Sequence, residues 1–169
     1  MSRSITTLTW GLCLVTGLAL VQPALAHPKS LPAIGSAVGQ VTSFEVTSAD
    51  PVTGVPLTAV QTAVVMGRGS VLGHHVNQVT VFLDFVTGQA SGSFEITSDH
   101  SSTSVVGSFT AYFQPIDGTP WIEFHMTGTI EDGTGRLDGA TGVVEIVAFE
   151  NIDTFEVEYD YTGVFEFDE

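Results

Sequence analysis

Basic residues are scarce in this sequence. Four Lys and Arg residues accompany 19 Asp and Glu residues, so the 169-residue chain has a formal net charge of -15. Nucleic-acid-binding proteins and polybasic membrane-attached proteins need clustered positive charge to neutralise phosphate groups. The composition therefore argues against both classes and predicts a strongly hydrated surface that favours solubility.

Cysteine is nearly absent as well. The single one, Cys13, lies in an apolar run from about Leu8 to Val21, which follows the positive Arg3 and precedes a small-x-small pattern ending at Ala26. This arrangement is typical of a signal peptide. We expect residues 1–26 to be removed, leaving a secreted or periplasmic chain with no membrane attachment. The remaining chain is long enough to bury a core without disulfides.

The sequence also lacks the apolar periodicity of an amphipathic helix. Apolar residues instead alternate with polar ones between turns rich in Gly, Asp and Asn, as in half-buried strands. The last segment is the clearest, because its aromatic and aliphatic residues share one face and its carboxylates the other. Eight strands are predicted, at Val38–Thr47, Ala59–Met66, Val79–Phe85, Gly92–Ser98, Val105–Phe113, Ile122–Ile130, Thr141–Phe149 and Phe155–Phe167.

Short connections between these segments predict antiparallel neighbours, which form either a barrel or a sandwich. A barrel is favoured because the long apolar terminal strand would otherwise be an exposed edge. We therefore predict an all-β fold, an eight-stranded antiparallel β-barrel over residues 37–169. Residues 27–36 have no apolar periodicity and predict an extended N-terminal leader.

The most distinctive segment runs from Asp132 to Gly142, with the sequence DGTGRLDGATG. Its pattern resembles the motif between two late strands of the allene oxide cyclase barrel-like and dirigent family, which has many exported bacterial members. A second segment, Gly69–Gly73, is similar to a glycine-rich segment before an early strand in those relatives. The resemblance implies an eight-stranded barrel whose lumen binds a small apolar molecule and, in the enzymes, guides a cyclisation or radical coupling.

Physically, the Asp132–Gly142 segment is interpreted as a tight crossover. Its glycines allow unusual backbone angles, and Arg136 would brace the turn by donating to carbonyls or to a carboxylate such as Asp138. The predicted structural motif consists of Gly133, Gly135, Arg136, Gly139 and Gly142.

The orientation of the last strand decides what fills the lumen. Its carboxylates cannot be buried, because only Lys29, Arg68 and Arg136 could pair with them. The aromatic face therefore points inward. The candidate ligand-binding residues are Phe109, Phe124, Phe155, Tyr159 and Tyr161.

These features favour an exported, noncatalytic barrel that binds a small hydrophobic molecule and needs no cofactor. One alternative is a cyclase or isomerase, in which His125 or Glu123 would polarise a substrate held by the walls. Another is a secreted structural or interaction protein that forms a homo-oligomer through an edge or rim. No metal site is expected, since the adjacent His74 and His75 would point to opposite faces of a strand.

Overall fold

The computed structural model describes residues 29–99 and 102–167, which form a closed barrel of eight antiparallel strands. The predicted fold class is confirmed. The predicted signal peptide lies outside the described residues. The strands are β1 (Lys29–Ala49), β2 (Pro56–Gly69), β3 (Gly73–Asp84), β4 (Gln89–Ser98), β5 (Ser104–Pro115), β6 (Trp121–Gly133), β7 (Ala140–Asn151) and β8 (Glu156–Phe167).

Each strand pairs with its neighbours in sequence, and β1 closes the barrel by pairing with β8 from Lys29–Phe167 to Gln40–Glu156. Within the described ranges, no helix has the length and apolar character needed to cross a bilayer. The only helical element there is a short 3₁₀ helix, Gly135–Leu137, between β6 and β7.

The first strand begins earlier than predicted. The leader expected over residues 27–36 is wrong from Lys29 onward, because that part of the chain pairs with the end of β8. From Ala33 onward the inward positions are small, with Ala33 and Ala37 buried, so apolar and polar positions differ little in hydrophobicity there. The strand is fixed by hydrogen bonds to its partners on both sides, which local sequence does not display.

The apolar faces of the strands point into the lumen, as the alternation predicts. Inward residues such as Val105, Phe109 and Ile130 are 5% exposed or less. The carboxylates of β8, including Glu158 and Asp160, are exposed on the outer wall. The prediction that the acidic face points outward is therefore confirmed, and burial of uncompensated charge along this strand is avoided.

At one end of the barrel, the loops between β2 and β3 and between β6 and β7 each bury a leucine. Leu72 and Leu137 are both 2% exposed there, and the Ser98 hydroxyl donates to the Leu72 carbonyl at 3.0 Å. The guanidinium of Arg136 donates to the carbonyl of Val71, which confirms the predicted brace to a backbone carbonyl.

The glycines of this crossover differ in their backbone role. Gly135 and Gly139 have φ of 62° and 68°, in the left-handed region that favours glycine. Gly133 instead provides space, because a Cβ there would lie 2.1 Å from the Leu137 carbonyl oxygen. The segment is thus a compact turn that holds Leu137 over the end of the lumen.

Candidate functional site

The lumen contains an internal cavity of about 70 Å³. Its walls are mostly aliphatic and aromatic side chains, which come from several strands of the barrel. Protein interiors are close-packed and have few voids larger than a water molecule. A cavity of this size in a small barrel is therefore a candidate binding site. The apolar lining includes Val65, Leu72, Phe94, Phe109, Phe124, Met126, Ile130, Val144, Ile146 and Ala148.

Four of the five predicted lining residues are placed on the cavity wall. Phe109, Phe124, Tyr159 and Tyr161 all line it, and each is 8% exposed or less. They come from β5, β6 and β8, which the barrel brings around one space. Periodicity alone identified these positions, since each lies on the apolar face of a strongly alternating strand.

The fifth, Phe155, is wrongly placed by the prediction. It lies in the turn between β7 and β8, is 44% exposed and has a φ of 60°. The Asn151 side chain accepts hydrogen bonds from the Asp153 and Thr154 amides, at 3.0 and 3.1 Å, and this turn takes Phe155 out of the strand. The alternation of β8 begins only at Glu156.

The candidate acid and base of the enzyme alternative lie on the outer wall. His125 Nε2 is 3.2 Å from Glu123 Oε1, and the imidazole stacks on Tyr112 with ring centroids 4.7 Å apart. Gln114 donates to the other Glu123 oxygen at 3.2 Å. Neither His125 nor Glu123 lines the cavity, so neither can act on a molecule in the lumen.

A polar group inside the lumen was not anticipated from the sequence. Gln61 and Glu150 are 3% and 7% exposed, and Gln61 Nε2 donates to Glu150 Oε2 at 2.8 Å. Asn77, 5% exposed, donates from Nδ2 to the Tyr159 hydroxyl at 2.9 Å. All four line the cavity. We call Gln61, Asn77, Glu150 and Tyr159 the luminal polar group.

The sequence did contain a signal for part of this group. Gln61 has the same parity as the inward Ala59 and Ala63, so it is a polar residue on an apolar face. Glu150 and Asn77 were missed for another reason. The predicted seventh strand ended at Phe149, and the predicted third strand began at Val79, so both residues fell just outside.

Burial perturbs the ionisation of this group. Loss of solvent raises the pKa of Glu150, and the hydrogen bond from Gln61 only partly opposes that effect. Desolvation likewise raises the pKa of Tyr159 to about 12, against the hydrogen bond from Asn77. Tyr159 is therefore a neutral phenol at every physiological pH.

Two acceptors of the luminal polar group lack partners. Gln61 Oε1 and Asn77 Oδ1 are buried and accept no hydrogen bond from any of the described residues. Buried polar atoms are normally hydrogen-bonded, because an unsatisfied one costs about 1–3 kcal/mol. Both side chains line the cavity, so a donor placed inside it could satisfy them.

Two glycines, Gly35 and Gly69, lie directly against the ring of Tyr161. A Cβ on Gly69 would lie 1.9 Å from the Tyr161 hydroxyl oxygen, and one on Gly35 would lie 2.5 Å from the same atom. The phenol thus rests against bare backbone of β1 and β2. The glycine-rich Gly69–Gly73 segment therefore begins with a residue that seats a cavity-lining side chain.

Within the described part of the chain, no three His, Cys, Asp or Glu side chains are grouped so that they could hold a metal ion. His74 and His75 point to opposite faces, as predicted, with His74 exposed and His75 buried. No family model, curated protein or solved structure matches this sequence.

Proposed function

We propose that this protein is an exported barrel that binds a small, mainly apolar molecule in its lumen without catalysing a reaction. The observation that carries the proposal is the internal cavity, walled by Phe94, Phe109 and Phe124. A void of this kind leaves its lining without contact partners, and a bound molecule restores those dispersion contacts. The signal-peptide pattern supports export.

The size of the cavity limits the ligand. About 70 Å³ lies between the roughly 10–15 Å³ that one water molecule needs and an engineered cavity of about 150 Å³ that binds benzene. A compact molecule fits with little rearrangement. A molecule the size of benzene or of a four-carbon chain requires the lining to move, and we propose that Met126 allows this because its side chain is unbranched and flexible.

The chemistry of the lining favours binding over catalysis. Among the described residues that line the cavity there is one carboxyl group, Glu150, and no His, Cys, Ser, Thr, Lys or Arg side chain. A general acid and base, or a nucleophile with its base, must lie within hydrogen-bond reach of one another. The lumen lacks such a set, so the cyclase or isomerase alternative is the weaker proposal.

We also propose a distant relationship to the allene oxide cyclase barrel-like and dirigent family. The Asp132–Gly142 motif carries this resemblance, and an eight-stranded antiparallel barrel is the fold that the family implies. The relationship adds the expectation of a small apolar ligand and supplies no catalytic residue for this chain.

The binding proposal can be tested by following backbone amide resonances during titration with benzene. We expect saturable shifts at lumen residues such as Phe109 and Phe124. The variant Ala148→Leu places extra carbon atoms in the cavity and should weaken binding at least tenfold. Ala49→Leu makes the same change at an exposed position of β1 and should leave binding unchanged.

Two outcomes would overturn the proposal. One is an absence of saturable lumen shifts in protein whose spectrum is that of a folded barrel. The other is equal benzene affinity in wild type and a folded Ala148→Leu variant, which would place the probe elsewhere.

A second candidate function is self-association through β1. From Thr42 to Ala49 this strand pairs only with β2, because its pairing with β8 ends at Gln40. Phe44 and Val46, on this projecting part, are each 43% exposed. An unpaired strand edge can accept another strand. Size-exclusion elution that shifts with protein concentration, and no longer shifts in Val46→Pro, would support this function, whereas a monomer at all concentrations would refute it.

A further inference from the structure

The unpartnered buried atoms of the luminal polar group are both acceptors. Gln61 Oε1 and Asn77 Oδ1 have no partner among the described residues. The Gln61 amide nitrogen already donates to Glu150, and the Asn77 amide nitrogen already donates to Tyr159. A ligand that adds further acceptors would therefore leave these oxygens unsatisfied. A ligand that brings N–H or O–H donors would complement them.

Among the described residues, none places a cation beside the Glu150 carboxyl. No described Lys or Arg lines the cavity, and Lys29, Arg68 and Arg136 are all exposed. The hydrogen bond that Glu150 accepts from Gln61 comes from a neutral amide. A buried carboxyl without a charged partner is rare, because ionised side chains are seldom buried unless paired.

The fold shields this carboxyl from most of the solvent. Glu150 is 7% exposed, and burial raises its pKa for want of a compensating charge. A cation that enters the cavity would therefore meet a Glu150 carboxyl that is already largely desolvated and is held in place by its hydrogen bond from Gln61. Charge-assisted hydrogen bonds of this type are stronger than neutral ones.

We infer that the luminal ligand is a small organic amine, bound as its ammonium ion, with the nitrogen donating to Glu150 and to Gln61 Oε1. Its short hydrocarbon part packs against Phe94, Phe109 and Phe124. This inference rests on the proposed function, since it assigns a chemical class to the molecule in the same cavity.

The overall charge of the chain acts in the same direction. A net charge of -15 produces a negative potential that concentrates cations near the surface and raises their rate of encounter. This attraction is nonspecific, and salt screens it within about 8 Å at physiological ionic strength. Any test must therefore separate the lumen carboxyl from the surface carboxylates.

The inference can be tested by calorimetric titration with three probes that share a four-carbon body, namely butylamine, 1-butanol and butyrate, at pH 7 in 0.15 M salt. We expect butylamine to bind at least tenfold more tightly than 1-butanol, and butyrate to bind more weakly than either. Glu150→Gln should reduce the preference for amine over alcohol to less than twofold. Its affinity for 1-butanol should be retained, which also reports that the barrel is folded.

The matched control is Glu145→Gln. Glu145 lies on the same strand, β7, but is exposed on the outer wall, where Thr127 donates to it at 3.1 Å. The substitution removes the same charge from the protein without changing the lumen. We expect it to leave the preference for butylamine within twofold of the wild-type value.

Three results would overturn the inference. Equal binding of butylamine and 1-butanol would show that the lumen does not select a cation. Equal loss in Glu150→Gln and Glu145→Gln would assign the preference to surface charge. Binding of none of the three probes would exclude small amines as ligands, and the benzene titration then decides separately whether the lumen binds apolar molecules.

Discussion

Gly69 is predicted to be intolerant of alanine because of one side chain, Tyr161. A Cβ at position 69 would lie 1.9 Å from the Tyr161 hydroxyl oxygen, 3.0 Å from its Cζ and 3.2 Å from the Ile34 carbonyl oxygen. Since Tyr161 is 8% exposed and lines the cavity, the ring can withdraw only by entering the lumen. The substitution therefore tests the position of a ligand-binding wall.

The size of the effect follows from these distances. Forcing extra carbon into a packed interior costs about 1–3 kcal/mol, and we expect Gly69→Ala to fall in the upper half of that range. Tyr161→Phe removes the atom at 1.9 Å and leaves the nearest contact at 3.0 Å. In that background Gly69→Ala should cost about 1 kcal/mol or less, which gives a coupling free energy of about 1–2 kcal/mol.

The assay is a double-mutant cycle in which the free energy of unfolding is measured by urea denaturation. Gly92→Ala is the control, because a Cβ there would lie 1.9 Å from the Thr80 carbonyl oxygen and close to Phe109. It should be destabilising, yet show no coupling to Tyr161→Phe. A coupling below about 0.5 kcal/mol for Gly69, which is within the usual range for independent sites, would refute the placement of the phenol.

Two other perturbations test the lumen and the β7–β8 turn. Burial raises the pKa of Glu150, so folded protein holds a proton that the unfolded chain releases, and this contribution to stability is lost as pH rises from about 4 toward the folded pKa. Glu150→Gln should lose less stability than wild type between pH 4 and pH 7, and parallel stability curves would contradict this reasoning. Phe155→Gly should raise the free energy of unfolding by about 0.5–1 kcal/mol, because Phe155 has a φ of 60° and its ring is 44% exposed. A less stable variant, measured by the same denaturation, would show that the ring's contacts outweigh the backbone strain.

Strand alternation was enough to predict most of the barrel wall. The spacing of apolar residues in β5, β6 and β8 placed Phe109, Phe124 and Tyr159 inward, because a strand has a strict period of two and only one face can be dry. The lack of basic residues determined that the carboxylates of β8 point to water. Arg136 could be assigned as a brace because a lone guanidinium among glycines needs acceptors.

The tertiary structure decided what lies between the walls. Gln61 and Glu150 are 89 positions apart in the chain, and their contact exists only because the barrel closes. The turn at Asn151 moved Phe155 out of the alternation, and pairing with β8 made a strand of residues that show little apolar periodicity by themselves. Periodicity reports which face of a strand is buried, whereas the depth, shape and polarity of a lumen depend on side chains from strands that meet across it. The sequence by itself therefore determined the strands and their faces, and closure alone brought an unpaired buried carboxyl into an aromatic cavity.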